Sequence, residues 1–123
     1  MVNYLYYFPH SSGKTAHAAA APWEGINALD AAVACYNNVS MMRQQMKPNN
    51  RIHGIIVDGG QKPNIIPERS ELSFNIRASK DVEVTELVER LRKCAEGAVS
   101  ATGEVLIITF YSLRRELVLP NGI

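Results

Sequence analysis

The apolar residues change period along the chain in an order that defines an architecture. Tyr and Leu dominate residues 3–8, a short β-prone run that Pro9 ends. From 27 to 46, Leu29, Ala32, Val33, Tyr36, Val39 and Met42 recur at helical spacing. Asp30 stands early in this segment and Arg43 and Lys47 late, as the helix dipole favours. Pro48-Asn49-Asn50 breaks the helix, and residues 51–57 form a β-rich run closed by the turn composition Asp58-Gly59-Gly60.

Residues 61–69 contain Pro63 and Pro67, which removes them from any central strand and predicts an ordered loop. Residues 71–77 then alternate, with Leu72, Phe74 and Ile76 on one face and Ser73, Asn75 and Arg77 on the other, the mark of a strand with one buried face. Val84, Leu87, Val88, Leu91, Ala95, Ala98 and Val99 make the strongest helical stripe, opposite Glu86, Glu89, Arg90 and Lys93, and Gly103 suits its C-terminal cap. Residues 105–111 supply a last strand. The order β-α-β-β-α-β predicts an α+β fold on the ferredoxin-like plan, a four-stranded antiparallel sheet with both helices on one face.

Composition narrows the function classes. A chain of 123 residues holds one core, and 46 % hydrophobic with 20 % charged residues describes an ordinary globular protein. A formal charge of +1, with Lys and Arg scattered, gives no field to gather nucleic acid, so no nucleic-acid partner is expected. No apolar run has the length of a membrane span, and Met1-Val2-Asn3-Tyr4-Leu5 lacks the marks of a signal peptide, so the expectation is a cytoplasmic chain without a membrane partner. Cys35 and Cys94 fall within the two apolar-periodic segments and read as buried thiols.

Several short patterns invite chemistry that the residues do not support. Ser12-Gly13-Lys14-Thr15 resembles the end of a phosphate-binding loop, but Phe8 occupies the place of its first glycine. Asn38-Val39-Ser40 fits a glycosylation acceptor yet falls inside a helix. His10, His17 and His53 are too scattered, and too far from Asp, Glu or Cys at ligand spacing, to make a zinc site by themselves. Glu83, Glu86 and Glu89 lie on a polar helix face, where solvation explains them.

A set of phrases between Gly13 and Gly103 resembles one family. Gly13-Lys14-Thr15-Ala16-His17-Ala18, then Pro22 and Gly25-Ile26-Asn27-Ala28-Leu29, is similar to the opening of the lid domain of the aminoacylase and carboxypeptidase amidohydrolases. Gly59-Gly60 with Pro63-Asn64-Ile65-Ile66-Pro67, and Asn75-Ile76-Arg77-Ala78, resemble that family's second and third signatures. The wording is nearest to a dipeptidase branch, which implies small dipeptides with a basic C-terminal residue as substrates. The resemblance implies a separate catalytic domain holding two zinc ions and a glutamate base, and a lid domain that contributes no metal ligand. It implies a homodimer formed through residues 31–45 of the first helix and 51–57 of the second strand. By position it assigns His17 to oxyanion stabilisation in the partner's active site, and Asn64 and Arg77 to substrate binding. A histidine N–H, a side-chain amide and a bidentate arginine suit those tasks.

The chain departs from the family pattern where metal chemistry would reside. It contains no His-x-Asp phrase and no adjacent Glu-Glu pair, so no cofactor is expected in this chain and hydrolysis by it alone is not expected. The expected organisation is an atypical lead-in over 1–12, a lid and dimerisation domain over 13–111, and an atypical tail over 112–123, with both ends read as replaced or truncated. The alternative is an unrelated ferredoxin-like domain that binds a small regulatory molecule or acts as an interaction module. Topology adds one more expectation: Asn64 and His17 share one end of the sheet, and Arg77 stands at the other.

Overall fold

The structure, a computed structural model, describes residues 2–9, 22–103 and 107–112, and side chains over 22–23 and 25–103. Its elements are β1 (Val2–Pro9), α1 (Ala28–Met42), β2 (Arg51–Asp58), β3 (Arg69–Arg77), α2 (Asp81–Thr102) and β4 (Ile107–Ser112). Backbone pairing runs in the order β2-β3-β1-β4, antiparallel throughout.

The expectation of a ferredoxin-like, four-stranded sheet carrying its core under two helices is corrected by where the described core lies. Two antiparallel strands and two helices make that core: Ile52 of β2, Leu72, Phe74 and Ile76 of β3, and the inner faces of α1 and α2. The strands β1 and β4 are described by their backbone ladders, β1 pairing with both β3 and β4. The class that stands is α+β.

Asn27 starts α1 because its Oδ1 accepts the N–H of Leu29 at 3.0 Å and of Asp30 at 3.1 Å, two donors with no partner inside the helix. The face buried by α1 is Ala28, Ala31, Ala32, Cys35 and Val39, a stripe of small residues turned by one position from the expected one. Small side chains let the helix lie close to the sheet and to α2. Val33 consequently points outward, 40 % exposed. The helix tightens into a 3-10 turn at Arg43–Gln45 ahead of Pro48.

Asp81 and Glu83 occupy the first turn of α2, and Gly103 ends the helix at φ 77°, its N–H bonded to the Val99 carbonyl at 2.9 Å. Val84, Leu87, Leu91, Ala95 and Ala98 form its buried face. Asn38, the apparent glycosylation acceptor, instead ties the helices together by donating to the Cys94 carbonyl at 2.9 Å.

Candidate functional site

Two regions carry chemistry or contact potential: the open edge of β2 and the loop that joins β2 to β3. Among the described residues β2 pairs with β3 alone, and no other described strand lies along its second row of backbone groups. Arg51, His53 and Ile55 face away from the helices, opposite Arg77, Asn75 and Ser73. The ladder slips between Ile56 and Asp58, so Val57 sits in a bulge. Ile55, Ile56 and Val57 are 64, 41 and 50 % exposed, and Val33 of α1 is exposed as well.

Gly54 shapes this edge. A Cβ built there would stand 2.4 Å from Phe74 Cδ1, so only glycine lets the ring lie over β2. Beside the glycine runs a groove of about 470 Å³, walled by Tyr36, Arg43, Met46, Ile52 and His53. The Arg43 guanidinium lies 6.0 Å from the centre of the Tyr36 ring, within cation–π range.

Residues 59–68 are held from several sides. Gly60 adopts φ 115° and donates its N–H to Asp58 Oδ1 at 3.1 Å, while Asp58 Oδ2 pairs with Arg69 Nε at 3.4 Å. The far side is fixed to the start of α1: the Ala28 N–H donates to the Pro67 carbonyl at 3.0 Å, and the buried Ser70 hydroxyl donates to the Ala28 carbonyl at 2.5 Å. Ile65 N–H closes a turn onto the Lys62 carbonyl at 3.2 Å. Asn64, exposed within that turn, is thus carried on a loop braced to two elements.

Arg77 ends β3, exposed, directly opposite Arg51 at the start of β2. Asn64 precedes the start of β3, so the nine-residue strand separates the two by roughly 25 Å at about 3.3 Å per residue. The structure does not bring them together. His17 and His10 lie outside the described residues. Among the described residues no group of three or more His, Cys, Asp or Glu side chains could hold a metal ion.

The two thiols are poor nucleophiles. Burial, and then the neighbouring Cys94, push the Cys35 thiol up to about 12. Burial also raises Cys94, with Arg90 acting in the opposite direction. The sequence reading passed over Gly54, Ser70 and Arg51. An isolated glycine inside a β-rich run is a readable sign of close approach, whereas the Ser70 bond to α1 has no sequence signal.

Residues 5–102 match the family model described as a peptidase dimerisation domain. The chain is 50 % identical over 109 residues to the Xaa-Arg dipeptidases of Mus musculus and Homo sapiens, covering 89 % of this chain and 25 % of each relative. It therefore spans about a quarter of the length of those curated relatives. An aminobenzoyl-glutamate utilization protein from Klebsiella pneumoniae has the same fold, with a TM-score of 0.77 at 18 % identity over 90 % of this chain and 28 % of that one.

Proposed function

We propose that this chain, which belongs to the family of peptidase dimerisation domains, is the lid and dimerisation module of a zinc-dependent dipeptidase or N-acyl amino acid amidohydrolase. The carrying observation is the open β2 edge, where Ile55, Ile56 and Val57 stand exposed, with Val33 of α1 exposed too. An unprotected apolar edge invites strand pairing, and a closed homodimer through 51–57 with 31–45 of α1 alongside removes the exposure. The proposal places the chain in the cytoplasm. Among the described residues no helix is long and apolar enough to cross a membrane.

Likeness to the Xaa-Arg dipeptidases supports small dipeptides with a basic C-terminal residue as the parent's substrates. The described side chains do not fit a metal site, so this reading leaves both zinc ions to the parent's catalytic domain and makes the chain inactive alone. In the parent, Arg77 grips the substrate in the active site of its own subunit, while Asn64 and His17 reach the partner's. The separation of Asn64 from Arg77 along β3 supports that division.

Light scattering of the purified chain tests the core of the proposal. A dimer that Ile55→Pro converts to monomer is expected; a monomer at high concentration, or an unchanged dimer in the variant, would count against it. In the parent, mixing a His17 variant with a zinc-ligand variant should restore activity through hybrid dimers, whereas mixing an Arg77 variant with the zinc-ligand variant should not.

A further inference from the structure

Ile55, Ile56 and Val57 of β2 and Val33 of α1 are exposed, and a second copy covers these two sets together only if the two helix layers stay on one side of a continuous sheet. That arrangement requires a twofold axis perpendicular to the sheet. Under such an axis, residues facing each other across the antiparallel edge must point to the same face. Successive residues point to opposite faces, so the axis passes through a residue and not between two. Within the regular part of β2 the choices are His53, Gly54 and Ile55.

We propose that two copies pair in the register centred on Ile55, with Ile56 of each copy seated against Gly54 of the other. This rests on the self-association reading above and supplies its geometry.

The first support is the distribution of exposure, which peaks at Ile55 and falls on Ile56 and Val57, while Ile52 is 3 % exposed. An axis at Ile55 stacks that residue on its copy and sets each Val57 against the partner's His53. The second is the gap at Gly54. Ile52, Gly54 and Ile56 share the helix-side face, and Phe74 forbids any side chain at Gly54. Centring on Ile55 brings the partner's Ile56 opposite this glycine on the correct face, into the groove beside Tyr36 and Ile52. Centring on Gly54 would oppose two glycines and leave the groove empty. Centring on His53 would oppose two imidazoles and carry Ile56 past the start of the partner strand, opposite Asn50.

The third support comes from α1. Leu29 stands level with Gly59 and Ile56, since a Cβ at Gly59 would lie 3.3 Å from Leu29 Cδ1 and 3.6 Å from Ile56 Cγ2. Tyr36 stands level with Gly54, its ring 6.4 Å from that of Phe74, which pairs with Gly54. Val33 falls between them, level with Ile55, where an axis through Ile55 makes it meet its own copy. The bulge at Val57 ends the ladder just beyond, and the helices complete the interface.

Cysteine cross-linking of the full chain separates the registers. Residues directly opposite lie about 4.5–5.5 Å apart at Cα, within disulfide reach. Ile55 and His53 are both exposed on the face away from the helices, so Ile55→Cys and His53→Cys preserve the core. Under mild oxidation Ile55→Cys alone should give a covalent dimer, while His53→Cys alone and cross-linking between the two variants should stay at the level of the unsubstituted chain. Cross-linking by His53→Cys alone would place the axis at His53, and cross-linking only in the mixture would place it at Gly54; either result overturns the register and leaves self-association intact. Monomers by light scattering in the same samples would overturn both. Ile56→Ala should weaken the dimer by about tenfold, and an unchanged dissociation constant would also overturn the seating at Gly54.

Discussion

β2 and β3 lie side by side, eight and nine residues long, and use their apolar residues in opposite ways. β3 alternates without exception: Ser70, Leu72, Phe74 and Ile76 are buried beneath the helices, and the residues between them face outward. On β2, Ile52 alone is fully covered, and the run Ile55-Ile56-Val57 stays exposed through the bulge. The central strand is specified by contacts within its own chain. The edge strand leaves its apolar surface uncovered by its own described residues, and this is the surface on which the proposed homodimer closes. On this reading the two neighbouring strands divide between folding and association, and substitutions in each should separate the two.

The largest expected effect is on β3. Phe74 is fully buried, lies over Gly54 and faces Tyr36, so Phe74→Ala should cost about 3–5 kcal/mol of folding stability in denaturant unfolding. A loss under about 1 kcal/mol would mean that the core does not depend on this ring.

Ile55→Asp is the counterpart on β2. A carboxylate at the proposed twofold axis would face its own copy in an apolar contact, and association should weaken by about 3 kcal/mol, roughly a hundredfold in dissociation constant. Because Ile55 is 64 % exposed, unfolding of the monomeric chain should change by no more than about 0.5 kcal/mol. If instead the variant unfolds as readily as Phe74→Ala, the division between a folding strand and an associating strand is wrong.

The same contrast explains what the sequence disclosed. β3 and α2 were legible because their periodicity answers to one buried face each, and the structure buries Leu72, Phe74, Ile76, Leu87 and Leu91 as the pattern requires. In α1 the apolar residues serve two directions: Ala28, Ala31, Ala32 and Cys35 face the core, while Leu29 reaches Gly59, Tyr36 lines the groove beside Gly54 and Val33 is exposed. A single-stripe reading mixes the two sets, and so it centred the helix one position off. Asn64 and Arg77 are proposed as site residues by resemblance alone, since an exposed loop amide and an exposed strand-end arginine carry no period. The brace from Ser70 to Ala28 joins positions far apart in the chain, and only the fold brings them together.

A smaller effect concerns the junction that positions the loop. Asn27 caps α1, and the adjacent Ala28 N–H holds Pro67, so the cap steadies both the helix and the support of Asn64. Asn27→Ala should cost about 1 kcal/mol, while Asn27→Asp, which keeps the acceptor, should recover most of it. Hydrogen exchange should rise in the first turn of α1 and around 59–68 in the alanine variant, and leave the β2 edge unchanged. Equal loosening of β2 would show that the loop and the edge are one unit.

The smallest effect is a pH dependence buried under α1. Cys35 is wholly enclosed, and its thiol is pushed from an ordinary value of 9.0 up to about 12, first by burial and then by Cys94. The folded state therefore keeps the thiol proton over a range in which the unfolded chain releases it. Stability from this group is fully present below pH 9 and is lost progressively as pH rises toward 12, because the unfolded state binds fewer protons there. Between pH 7 and 8.5 the melting temperature should be flat with respect to this group, and a shallow decline should begin above pH 9. Cys35→Ala should remove that part of the decline while lowering stability slightly at every pH through the lost packing. A variant whose high-pH decline matches that of the unsubstituted chain would show that Cys35 is not the group responsible, and alkylation of Cys35 in the folded protein at pH 8 as fast as that of a free thiol would show that α1 does not shield it.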